Sequence, residues 1–178
     1  MKSLKIIQTL SKIAWIICKV IFVLCIVGAS VCFVSLIVLS IVQDVTLFES
    51  KVLSIAIMEK GVNLPSAITA CIVGMITCGV GIFLAKYSER FFRKELDLGT
   101  PFNKEIVQDM RKLALVHLIV TLASYIGILI MCAIIKIFYK DLADFHHNIG
   151  GTFSFAICML VLSLFCEYGT ELENKEVK

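Results

Sequence analysis

KYSERFFRKELDLGTPFNKEIVQDMRK, residues 86–112, is the one long charged stretch in an otherwise oily chain. It carries seven basic and five acidic residues and divides the chain into two apolar halves. Gly99 followed by Pro101 is a helix-stop signature, since glycine tolerates a left-handed C-terminal position and proline cannot extend a helix. Asn103 is placed to cap a new helix, with Phe102 and Val107 in the positions of a hydrophobic staple. Glu89 and Arg93, four apart, and Asp109 and Lys112, three apart, are favourable helix-surface pairs. The stretch therefore predicts a helical hairpin: one helix to about Leu98, a turn over residues 99–102, and a second helix from Asn103. Tyr87, Phe91, Phe92 and Leu96 would face the membrane surface or the paired helix.

Outward from the hairpin, both flanks are long enough to cross a bilayer. Residues 65–85 precede it without a charge, and residues 113–138 follow it. Residues 20–42 and 149–166 supply two further spans, the first giving about 34 Å of helix. With 59% hydrophobic and 17% charged residues and a mean hydropathy of +0.95, the chain sits in the membrane class. The fold class expected is an all-α membrane protein: a single domain, residues 1–178, with four transmembrane helices forming a bundle. Helices 2 and 3 extend into the cytoplasmic hairpin.

Charge sets the orientation. The N-terminal segment, hairpin and tail hold thirteen of the 17 Lys and Arg residues; Lys51, Lys60, Lys136 and Lys140 lie elsewhere. The positive-inside rule then puts the hairpin and both termini in the cytoplasm, as a multi-pass protein of the cell (inner) membrane. The first nineteen residues contain Lys2, Lys5, Lys12 and Lys19 and no acid, with Ile6, Leu10, Ile13 and Ile17 on one helical face near Trp15. This pattern fits a basic amphipathic helix on the cytoplasmic surface or an early extension of the first span. The apolar run that follows is too long for a signal-peptide core, so a retained span is expected. In the first loop, Phe48, Val52, Ile55 and Glu59 have the spacing of a short interfacial helix.

Small residues mark the second span. Ser66, Ala70, Gly74 and Cys78 recur every four residues, a stripe that lets another helix approach closely. Packing within the chain is favoured over a homo-oligomer contact. The eight cysteines lie in or at the ends of apolar runs, without a CxxC pair, and read as small packing residues. His146 and His147 with Asp141 and Asp144 form a solvated loop rather than a metal shell, because adjacent side chains point apart.

The Phe91-Phe92 pair, then Gly99-x-Pro101-Phe102 and a short capped helix running into a span, resembles a bacterial family of four-span membrane proteins of unknown function. Many of its members are encoded beside a small Cro/C1-type helix-turn-helix regulator. Phe165 and Gly169-x-Glu171-Leu172 are similar to that family's closing motif. The chain departs at Glu173-Asn174-Lys175-Glu176-Val177, where the family continues into an Asp-rich stretch. The resemblance covers essentially the whole chain and implies no catalytic residue and no cofactor.

The candidate functional residues follow from these patterns. His117 lies just inside the third span and Glu167 at the inner edge of the fourth, where ionisable groups are costly; a His117–Glu167 contact is a hypothesis to test, set against the reading that both groups reach water at the interface. Arg90, Arg93 and Lys94 are candidate partner-binding cations, with Gly99, Phe102, Gly169 and Glu171 from the family-like motifs. Phosphate-loop, zinc-protease and serine-hydrolase motifs are absent from the sequence, so an enzyme is not expected. The dispersed net charge of +3 does not point to direct nucleic-acid binding. The expected function is an accessory regulatory or self-protection component of the membrane. It would act by binding a small cytoplasmic DNA-binding regulator or a membrane-active peptide. The alternative is a small-solute or ion transporter working as an oligomer, for which mid-membrane charge is sparse.

Overall fold

The computed structural model of the chain describes residues 2–42, 64–99, 103–139 and 150–176. These form four helices: α1 (Lys2–Val42), α2 (Leu64–Leu98), α3 (Lys104–Phe138) and α4 (Gly150–Glu176). Each is long and apolar enough to cross a membrane. Their composition explains the helices. Pro65 occupies the first turn of α2, where its missing N–H costs nothing, and the described helices contain no interior proline. Long apolar runs keep the remaining backbone hydrogen-bonded within each segment, as a bilayer demands.

Side-chain burial runs opposite to that of a water-soluble domain. The buried set is dominated by small and weakly polar residues: Ser66, Ala67, Thr69, Ala70, Ala85, Ala114, Ala156 and Ser163. The exposed set is Ile, Leu, Val and Phe, with Ile41, Ile137 and Phe138 each 76% exposed. In water that much bare apolar surface would drive aggregation. Against lipid tails it costs nothing, and close backbone approach through small residues becomes the source of cohesion.

The helices are organised into two compact units. The first gathers α1 up to Val23, α2 from Gly81, α3 up to Thr121, and α4. Its core is Phe91 of α2, Ile106, Met110, Leu113 and Ala114 of α3, and Met159 of α4, ringed by Tyr87, Phe92, Phe155, Leu160 and Cys166. The second holds α1 from Leu24, α2 up to Val80, and α3 from Leu122.

In the second unit α1 and α2 pack antiparallel through two reciprocal contacts. A Cβ built on Gly74 would lie 2.7 Å from the Cys32 sulfur, and one on Gly28 would lie 3.0 Å from the Cys78 sulfur. Each cysteine thus seats against the other helix's glycine, one turn apart, and Leu39, Ala67 and Cys71 continue the contact toward the other end. Gly74 and Cys78 of the small-residue stripe thus serve packing within the chain, with Cys32 as the facing residue.

Several boundaries differ from expectation. Of the two readings of the N-terminal segment, continuity holds: α1 runs from Lys2 into the apolar span without a break. The fourth helix continues past residue 166 to Glu176, taking most of the polar tail with it. The expected interfacial helix around Val52 and Ile55, and the His146–His147 loop, lie outside the described residues.

Candidate functional site

The end of α2 and the start of α3 are built as their local signals require. Gly99 takes φ 72°, the left-handed conformation that a side chain disfavours, and its N–H donates to the Glu95 carbonyl at 3.0 Å, closing α2. Asn103 opens α3: its Oδ1 accepts from the Glu105 N–H at 3.0 Å and its carbonyl accepts from the Val107 N–H at 3.0 Å. Phe102, the other half of the expected staple, lies outside the described residues.

Charge holds the two arms together. Lys94 on α2 reaches both Glu105 (2.6 Å) and Asp109 (2.5 Å) on α3, and Lys112 lies 3.6 Å from Asp109. Lys94 is therefore committed to the hairpin and not held out to a partner. Arg90 and Arg93 are exposed, and among the described residues neither has an ion-pair partner within 4 Å.

His117 and Glu167 are not brought together. Glu167 pairs with Arg111 of α3, both side chains partly exposed, a contact worth on the order of 1 kcal/mol or less. His117 is buried and turned elsewhere. Its Nδ1 donates to the Leu113 carbonyl at 2.9 Å, its Nε2 lies 3.3 Å from the Ser88 hydroxyl, and its ring packs 5.0 Å from Phe155. The hypothesised contact is not formed, because similar depth along the chain's spans does not decide which helix face each residue occupies. His117 instead joins α2, α3 and α4 as a packing node. On this geometry His117→Ala, which opens a void beside Phe155, lowers stability by about 3 kcal/mol. His117→Leu refills most of it and stays within about 1.5 kcal/mol. Thermal unfolding of the detergent-solubilised full chain reads both; equal melting of wild type and His117→Ala would remove the packing role.

Glu95 was not singled out in the sequence, yet it is the most enclosed acid among the described residues, 8% exposed. Its Oε1 accepts from the Ser11 hydroxyl at 2.9 Å, tying α2 to α1. One turn on, the Gln8 side-chain amide donates to the Gly99 carbonyl at 3.1 Å. A visible signal was its phase: Leu84, Ser88, Phe91 and Glu95 are spaced four, three and four apart, and all four are buried. Gly169 is half-buried in α4 beside buried Thr170, whose hydroxyl donates to the Cys166 carbonyl at 2.8 Å; the Glu171 side chain is outside the described set.

Among the described residues, no group of three His, Cys, Asp or Glu side chains is disposed to hold a metal ion. What the site presents is a pair of helices joined by the Lys94 ion pairs, with two exposed arginines that have no ion-pair partner among the described residues. Comparison of the chain with family models, curated proteins and solved structures returns no match.

Proposed function

We propose that the protein is a multi-pass protein of the inner membrane, with both termini and the hairpin in the cytoplasm, that acts by binding a partner rather than by catalysis. In this reading it is an accessory regulatory or self-protection component belonging to the four-span family that its hairpin and closing motifs resemble. The partner is a small cytoplasmic DNA-binding regulator, with a membrane-active peptide as the other member of the class. The observation that carries the reading is the state of the hairpin cations. Lys94 is used internally, whereas Arg90 and Arg93 stand exposed with no ion-pair partner among the described residues. Unpaired exposed arginines on a rigid helix suit recognition of an acidic protein surface, since the planar guanidinium donates in a fixed fork.

The test is co-purification, with the tagged full chain from native membranes, of a small helix-turn-helix regulator of the kind encoded beside members of that family. Arg90→Glu with Arg93→Glu is expected to abolish recovery while leaving membrane insertion and melting unchanged. Undiminished recovery would overturn the partner surface. A reporter fused to the C-terminus tests the orientation separately; an external reporter would overturn it.

A further inference from the structure

In the first unit, α1 and α2 enclose an open cavity of about 450 Å³ lined by Lys12, Trp15, Lys19, Arg93, Leu96 and Asp97. Two features of the lining point to one ligand chemistry. Three cations face one carboxylate, and among the described residues neither Lys12 nor Arg93 has an ion-pair partner within 4 Å. Lys19 is held with its Nζ 3.7 Å above the Trp15 ring, a cation–π contact that fixes its position. The cavity thus presents positive charge next to an apolar wall made by the Trp15 ring and Leu96.

Its place along the chain narrows the ligand further. Lys12, Trp15 and Lys19 fall on one face of α1 immediately before the apolar run that begins at Val20. Tryptophan and lysine at the end of a span belong to the headgroup layer of a bilayer.

We propose that this cavity binds the phosphate of an anionic glycerophospholipid. Lys12, Lys19 and Arg93 neutralise the phosphodiester. Trp15 and Leu96 lie along the glycerol and upper acyl region. Asp97 would repel the phosphate itself and accepts instead from hydroxyls of the headgroup, which selects a polyol headgroup such as that of phosphatidylglycerol. Glu89, close enough to sense Lys19 and Arg93, is paired with Lys86 at 2.8 Å and leaves the cations available. The inference rests on the membrane reading of the four helices and not on any protein partner. Arg90, outside the lining, separates the two.

Trp15 is the only tryptophan in the chain, so its fluorescence reports on the cavity directly. The full chain in neutral detergent is titrated with dioleoyl-phosphatidylglycerol, with dioleoyl-phosphatidylcholine, and with inorganic phosphate. The expected result is a saturable change in Trp15 emission with phosphatidylglycerol, weakened by salt, and none with phosphatidylcholine. Lys12→Gln with Lys19→Gln is expected to lower the affinity about tenfold or more. Lys104→Gln, an exposed cation away from the cavity, and Arg90→Glu are expected to leave it unchanged. Equal responses to the two lipids would overturn the proposal, as would an equal loss from Lys104→Gln, which would mean unspecific attraction. Saturation by inorganic phosphate at the same concentrations would overturn the lipid assignment in favour of a soluble phosphate ligand. If phosphatidylglycerol binds and the Arg90–Arg93 charge reversal leaves regulator recovery intact, the lipid site stands and the partner surface falls.

Discussion

Gly74→Leu is expected to disrupt the second unit, lowering the stability of the full chain by about 3 kcal/mol or preventing its accumulation in the membrane. Even a methyl group at this position would sit 2.7 Å from the Cys32 sulfur, well inside van der Waals contact. Alanine is tolerable if the Cys32 side chain turns aside, so Gly74→Ala costs less, about 1 kcal/mol. An isobutyl group has no such escape, because the facing surface is the α1 helix itself. The two substitutions therefore rank as Ala milder than Leu. Cys32→Ala, which removes the opposing sulfur, rescues Gly74→Ala more fully than Gly74→Leu. The measurement is thermal unfolding of the single and double variants in detergent, arranged as a double-mutant cycle. A cycle with no coupling would mean that residues 32 and 74 do not touch. Cohesion here depends on close approach, since lipid tails compete equally for apolar contact. One added side chain at the seam consequently outweighs many substitutions on the exposed face.

The features readable from the sequence are those set by a few neighbouring residues. Gly99 ends α2 because the stop depends on one residue's φ, and Asn103 caps α3 because the cap depends on bonds two and four residues away. The number of helices followed from apolar length, a one-dimensional quantity, and the stripe through Gly74 and Cys78 marked a real seam. Unreadable were the choices made by tertiary azimuth. Glu167 and His117 belong to the same unit, but Glu167 points to Arg111 and His117 to Ser88 and Phe155. Lys94 looked like one more surface cation until α3 folded back with Glu105 and Asp109 beneath it. Glu95 escaped notice because it lies amid charges, where acids are assumed to be solvated. Its enclosure is created by α1, whose N-terminal part was readable equally as a surface helix or as an extension of the first span.

That buried acid leads to the other large effect. Glu95→Lys is expected to be the most damaging single substitution in the first unit, at about 3–5 kcal/mol. The carboxyl is enclosed and linked to α1 through the Ser11 hydroxyl at 2.9 Å. A lysine placed there is longer than the space provides and buries an ammonium that needs three acceptors where one hydroxyl stands. Its alternative is to swing out, which pulls α1 away from α2 and strips the Gln8 amide from the Gly99 carbonyl. Glu95→Gln keeps the shape and still accepts from Ser11, losing only about 1 kcal/mol for an amide N–H left short of partners. Ser11→Ala should cost a similar amount, and adding it to Glu95→Gln should cost less than the separate effects combined, since the two share one bond. Trypsin cleavage near Lys12 in the detergent-solubilised protein reads the detachment of α1 directly. It is expected to be fast in Glu95→Lys and close to wild type in Glu95→Gln. Slow cleavage in Glu95→Lys would mean that α1 stays docked without this contact, and that the buried acid serves something other than holding the two helices together.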